Sequence, residues 1–351
     1  MPEECVHAGR AARWLTRAAI LLVLGLGVVS RAAAAPHDGV RLTDNLYDVA
    51  FVSATDGWAA GAFGTIARTD DGGKTWHTQV SHTVEHLYGV GFVDTRHGWI
   101  VGRMGIILHT DDGGETWQHQ SSGLDKHLFA VRALDPMHAT AVGDWGTILS
   151  TGDGGKTWQQ NPLNRDVILN SEAWPDAQHG WIVGEAGTIL VTSDGGATWS
   201  DQHSGVEKTL FGVSFPDAQR GWAVGIDGLI LRTADGGQTW QVQHGEAEVS
   251  TLEQVGYSDA QNNPSLYDVA VAGQYGYAVG DNGAVFASED GGATWHRKPV
   301  PQEADLRWIR AVSLVSGTHG GFVGASGLTV RIVGNEMKLS EKERHAAKKA
   351  D

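Results

Sequence analysis

The chain has 351 residues, 48 of them Gly and 14 Trp, with a single Cys and a formal net charge of −15. One Cys cannot build a disulfide framework or a zinc cluster, and 41% hydrophobic content argues against a disordered chain. The negative charge works against non-specific binding to nucleic-acid phosphates, and the length fits either two ordinary domains or one large repeat domain.

Residues 1–35 stand apart from the rest. Arg10, Arg13 and Arg17 precede an apolar run over residues 18–29 and a small-residue stretch over 32–35, the pattern of a secretory signal peptide. That run is shorter than the roughly 20 residues a spanning helix needs, so a cleaved leader is expected, with cleavage near Ala34 or Ala35. Cys5 leaves with it. Loss of two Glu and four Arg moves the charge from −15 to −17, and an exported, thiol-free chain must be stabilised by packing alone.

A repeat of 41 residues organises the remainder of the chain. The segment from Thr69 to Trp76 (TDDGGKTW) recurs with its aspartate at Asp71, Asp112, Asp153, Asp194, Asp235 and Asp290. A Gly-aromatic pair precedes each copy, at Gly57-Trp58, Gly98-Trp99, Gly180-Trp181, Gly221-Trp222 and Gly276-Tyr277, with Ala139-Thr140 in the third. A further Gly comes four residues on, at Gly61, Gly102, Gly143, Gly184, Gly225, Gly280 and Gly324, which counts seven units. The surplus between the fifth and sixth units is confined to residues 242–264, a long loop.

Within one unit the pattern is short apolar runs and period-two alternation, reading as four strands near residues 47–51, 58–61, 65–69 and 76–80. Seven such units predict an all-β fold, a seven-bladed β-propeller of four-stranded antiparallel blades over residues 36–335. The seventh unit, residues 309–333, shows only three strand-like pieces. The N-terminal stretch 39–43 is expected to supply its fourth strand and close the ring, removing an open sheet edge. Residues 336–351 read as a charged, solvated tail.

The repeated carboxylates sit in Gly-rich turns where they can accept backbone N–H groups of their own loop. Trp76, Trp117, Trp158, Trp199, Trp240 and Trp295 open the next strands and are expected between blades. At ~25 cal/mol per Å², each such ring contributes roughly 4 to 6 kcal/mol gross. Six copies around a ring cannot face one site, and the spacing lacks the alternating oxygen ligands of a calcium loop, so the boxes read as architecture.

Recognition is expected on loops at one end of the channel. The turn after the repeated Gly carries Ala62, Arg103, Asp144, Glu185, Ile226, Asp281 and Ala325, succeeded in several units by Met104, Trp145, Ala186, Asp227, Asn282 and Ser326. A mixed-charge partner surface is expected at Arg103, Asp144, Trp145, Glu185, Asp227 and Asp281. His82, His86 and His127 lie in loops leading into the second and third blades; they read as surface histidines, since a metal site needs three or four convergent ligands. No cofactor and no catalytic cluster is expected.

The unit V-G-x-x-G-x-I-x-x-T/S-x-D-G-G-x-T-W, complete from Val101 to Trp117 and from Val183 to Trp199, resembles the photosystem II stability/assembly factor family of cyanobacteria, chloroplasts and their bacterial relatives. The resemblance spans about residues 40–333. It implies a non-enzymatic exported propeller that binds a membrane-protein precursor during assembly, in the periplasm or, in a photosynthetic host, the thylakoid lumen. It also implies an Arg-bearing patch in that binding. The turn Gly102-Arg103-Met104-Gly105 matches it in one blade, whereas other blades carry acidic residues there. Two alternatives stand beside this reading. One is a sialidase-like glycoside hydrolase, for which Arg103 is the only Arg in the turn ring and Tyr47, Tyr88 and Tyr267 share one repeat position. The other is a glycan-binding surface using Trp145 and loop 242–264.

Overall fold

The computed structural model describes residues 42–161, 163, 165–245 and 263–341. The expected leader over residues 1–35, residues 39–41 of the expected closing strand and residues 246–262 of the expected loop 242–264 lie outside these, while residues 242–244 belong to the strand Gln241–His244. In the first blade Leu46–Phe51, Gly57–Gly61, Ile66–Thr69 and His77–Gln79 form β1 to β4, paired antiparallel in sequence order. Six more four-stranded sheets of the same order succeed it. The inner strand of each blade, beginning at Leu46, Leu87, Leu128, Leu169, Leu210, Leu266 and Ile309, packs beside those of both neighbours, and the last meets the first. The architecture is the expected seven-bladed, all-β propeller.

The core lies between blades. Trp58 is fully buried and lies flat on Phe92 of the next blade, with ring centroids 3.7 Å apart, and Trp181 repeats the contact on Phe215 at 3.7 Å. The strand-two rings Trp58, Trp99, Trp181, Trp222, Tyr277 and Phe322 are therefore the deepest aromatic groups, at 0–2% exposure. Of the box tryptophans, Trp76, Trp117 and Trp295 are buried, while Trp158, Trp199 and Trp240 are half-buried.

Closure differs from the sequence-based expectation. Glu336–Leu339 is the fourth strand of the seventh blade, pairing Met337 with Ile332 and Leu339 with Val330. So residues 336–339 belong to the propeller and not to a tail, and among the described residues the blade takes no strand from the N-terminal stretch. The physical reason is a tight turn at Gly334, whose φ is 63°, and beyond it an alternation that buries Leu339 and half-buries Met337. The N-terminal stretch contributes in another way: Leu42 packs beside Gly327, and Asn45 Oδ1 accepts the Ser326 N–H at 2.9 Å. At the other end Glu341 donates its N–H to Lys74 O in blade 1 at 2.8 Å.

Candidate functional site

The antiparallel order puts the Asp-box turns of blades 1 to 6 at one end and the turns between second and third strands at the other. In the first box, Asp71 Oδ1 accepts the Thr75 N–H at 2.9 Å and Oδ2 accepts the Thr75 hydroxyl at 2.7 Å. Thr69 Oγ1 donates to Asp71 Oδ1 and accepts the Gly73 N–H. Asp112, Asp153, Asp194, Asp235 and Asp290 repeat the network. Hydrogen bonds from the threonine hydroxyl and backbone hold Asp153, Asp194 and Asp235 down to about 2. The box carboxylates are thus engaged inside their own turns.

A second repeated residue fastens the blades and escaped sequence reading. Gln120 Oε1 accepts Nε1–H from Trp158 of the next blade at 3.1 Å, while its Nε2 donates to Gly154 O at 2.8 Å. Gln79 and Gln202 do the same. The signal was there to find, because Gln79, Gln120, Asn161, Gln202 and Gln243 recur at the 41-residue spacing.

At the opposite rim every strand-two turn is clamped. Arg103 donates its N–H to His86 O at 2.9 Å, and the corresponding residues Ala62, Asp144, Glu185, Ile226, Asp281 and Ala325 bond the residue before each inner strand likewise. The approach is close enough to require the repeated Gly: a Cβ on Gly102 would lie 2.1 Å from His86 O. The next residue of each turn is left-handed, with φ between 51° and 60° at Phe63, Met104, Trp145, Ala186, Asp227, Asn282 and Ser326.

The rim thus gathers the residues expected there, Arg103, Asp144, Trp145, Glu185, Asp227 and Asp281, at equivalent turn positions of blades 2 to 6. Most of their charges are engaged. Arg103 lies 3.6 Å from Glu85, Asp227 3.2 Å from the buried Lys208 ammonium, and Asp281 accepts the Tyr267 hydroxyl at 2.8 Å. Glu185 accepts the Ile168 N–H at 3.1 Å. Beside the half-exposed Arg103 the rim presents three large apolar side chains: Phe63, Met104 and Trp145 are 42%, 51% and 53% exposed.

Inside this rim an aromatic collar surrounds the channel mouth. Tyr47 and Tyr88 have ring centroids 5.7 Å apart, Tyr88 and Phe129 5.6 Å, and Phe211 and Tyr267 5.6 Å; the Arg310 guanidinium lies 4.6 Å from the Tyr267 ring centre. Trp308 stacks on Tyr47. Burial pushes the Tyr88 phenol up to about 12, so it stays neutral. His86 sits against Phe63 and Tyr47, His127 Nδ1 accepts the Met104 N–H at 3.1 Å, and His82 is exposed. These histidines serve separate contacts, and among the described residues no cluster of His, Cys, Asp or Glu fit for a metal ion occurs.

Below the collar, Asp48 and Asp268 occupy corresponding inner-strand positions in blades 1 and 6. Each carboxylate accepts the N–H of its chain successor and one from the next blade, Val90 for Asp48 at 2.8 Å and Val312 for Asp268 at 2.9 Å. Burial pushes both up to about 7.

The family profile described as "Photosynthesis system II assembly factor YCF48" matches residues 32–162 and 199–261, more than half of the chain. No curated protein matches. Among solved structures, "YCF48 bound to D1 peptide" superposes with a TM-score of 0.66 at 23% identity, covering 87% of this chain and 97% of that one. YCF48 from Cyanidioschyzon merolae gives 0.64 at 21%, covering 83% and 96%. A GH74 xyloglucanase from Xanthomonas campestris gives 0.66 at 13%, covering 86% of this chain and 55% of the enzyme. At these identities the structural likenesses speak for the propeller fold.

Proposed function

The chain belongs to the photosynthesis system II assembly factor YCF48 family, and from that membership we propose that it is a non-enzymatic, exported scaffold that binds a membrane-protein precursor segment during assembly of an envelope complex. The leader-like residues 1–35 support export to the periplasm, or to the lumen in a photosynthetic host. A D1 peptide is bound by the YCF48 structure it resembles, which supports a membrane-protein segment as the class of partner. The observation that carries the binding face is the rim itself, with Phe63, Met104 and Trp145 exposed on a rigidly clamped frame. The test is affinity capture of the tagged chain from detergent-solubilised envelopes. The proposal expects an integral membrane protein enriched with wild type. Capture no better than an unrelated propeller rejects it.

One observation favours the glycoside hydrolase alternative: two carboxyls near the channel, Asp48 and Asp268, are raised into the range of a general acid. Both bridge neighbouring blades through backbone N–H groups, which supports a fastening role. Turnover of a fluorogenic glycoside or xyloglucan that disappears in Asp48→Asn would revive the enzyme.

A further inference from the structure

We propose that His127 is a pH-sensitive latch on the rim: as a neutral imidazole it holds the Arg103-Met104 turn in the form that meets the partner, and on protonation it lets that turn go. This rests on the assembly reading above and names the regulation of the same site.

Hydrogen bonds, more than burial, hold this turn. Met104 has a φ of 58° and a side chain 51% exposed, so packing does little to fix its left-handed backbone. Arg103 donates its N–H to His86 O at 2.9 Å and accepts the Ile106 N–H at its own carbonyl, while the Met104 N–H goes to His127 Nδ1 at 3.1 Å. The same relation recurs across the seam between blades 7 and 1, where Asn45 Oδ1 accepts the N–H of Ser326, the left-handed residue of that turn, at 2.9 Å. Asn45 and His127 each stand directly before the inner strand of their blade. The two latches differ in chemistry. An amide oxygen accepts at any pH, but an imidazole nitrogen accepts only while it is bare. With the Met104 N–H as donor, neutral His127 carries its proton on Nε2; a second proton goes to Nδ1, where two donors then face each other and the bond is lost.

The ring has little room to turn toward another acceptor. It stands edge-on to Tyr88 and Phe129, with ring centroids 6.2 Å from each, and its backbone is pinned by the Asp144 N–H, which donates to His127 O at 2.9 Å. The charged and titratable groups about it are Asp144 on the turn of its own blade, Arg103 beside Met104, Tyr88 with Glu85 and His86 near it, and Asp125 and Lys126 in its own loop. His86 holds the corresponding place one blade earlier, but its ring faces Phe63 and the Tyr47 hydroxyl, and its bond to the Arg103 turn is made by a carbonyl that does not titrate. Phe63 and Trp145 occupy the equivalent turns on either side, so release loosens the middle of the exposed arc. A partner that needs the held turn binds in proportion to the fraction still held. One pH unit below the range where an imidazole titrates, that fraction is about one in ten and the apparent affinity falls about tenfold.

Two measurements on the full chain test this. In amide NMR spectra the Met104 signal should shift as pH falls from about 8 to about 5 in wild type and stay in place in His127→Asn, which supplies the pH-independent acceptor that Asn45 supplies to Ser326. Affinity capture from detergent-solubilised envelopes should return about tenfold less membrane protein at about pH 5.5 than at about pH 8 with wild type, and equal amounts with His127→Asn. His127→Ala, which has no acceptor, should capture weakly at both. A Met104 amide that ignores pH in wild type, or moves equally in His127→Asn, overturns the proposal. So does capture that holds in wild type at the lower pH, or declines equally in both proteins. If wild type captures no membrane protein at any pH, the assembly reading falls, while the amide titration by itself decides whether the latch exists.

Discussion

Thr140 on blade 3 donates its hydroxyl to the carboxylate of Glu172 on blade 4, across a seam built unlike the others. Blades 1, 2, 4 and 5 place Trp58, Trp99, Trp181 and Trp222 where blade 3 has Thr140, and the remaining inner strands place Val49, Val90, Val131, Val213, Val269 and Val312 where blade 4 has Glu172. The missing indole is replaced from the opposite side by Trp174, whose Nε1–H also donates to Glu172 at 2.8 Å. Glu172 Oε1 has no hydrogen-bond partner among the described residues, and burial pushes the carboxyl up to about 7.

That seam predicts a pH dependence with a definite sign. An unfolded carboxyl titrates near about 4, so between about 4 and 7 the folded chain retains protons on Glu172, Asp48 and Asp268 that the unfolded chain has released. Their contribution to stability is complete below about 4 and is lost as pH rises through about 7. Asp153, Asp194 and Asp235, held at about 2, act oppositely: their contribution is present above about 4 and is lost as pH falls toward 2. Thermal unfolding across pH should therefore peak in mild acid. Glu172→Gln, which keeps an acceptor for Thr140 and Trp174, should lessen the decline between about pH 4 and pH 7; an unchanged slope would refute the assignment.

The glutamine clamp predicts a stability loss far from any binding surface. Gln120→Ala removes the acceptor for Trp158 Nε1 and for Trp99 Nε1, and the donor to Gly154 O. Denaturant unfolding should show a loss of about 1 to 3 kcal/mol, with no change in partner capture.

Closure by the chain's own C-terminal strand makes residues beyond Val333 structural. Leu339→Ala should cost about 2 to 3 kcal/mol as a buried Leu in the last strand. Truncation after Gly334 should cost more and promote aggregation, because it bares the edge of the strand Thr329–Val333. Light scattering during thermal ramps distinguishes the truncated chain from wild type.

The fold was largely legible because the 41-residue period and the Gly spacing reflect contacts that every blade must make, such as the approach of Gly102 to His86 O. The last strand was not legible: it lacks an Asp box and a Trp, and its Glu and Lys outweighed the alternation of Met337 and Leu339. For the rim, the sequence located the turns but weighted their charges, since pairings such as Arg103 with Glu85 and Asp281 with Tyr267 join a turn residue to one from another loop or from the inner strand. Phe63 was passed over and Met104 was placed in the turn without being given weight, because neither residue type announces a left-handed backbone. Only their register with Asp227 and Asn282, residue types that favour such turns, carries that information.

The central claim is that one rim, and not the Asp-box face, meets a membrane protein. A photo-crosslinking side chain placed at position 104 on the rim, or at position 156 within the third box, tests it directly in living cells. The account predicts an adduct with an integral membrane protein from position 104 and none from position 156. Equal adducts from both positions, or adducts from position 156 alone, would contradict it.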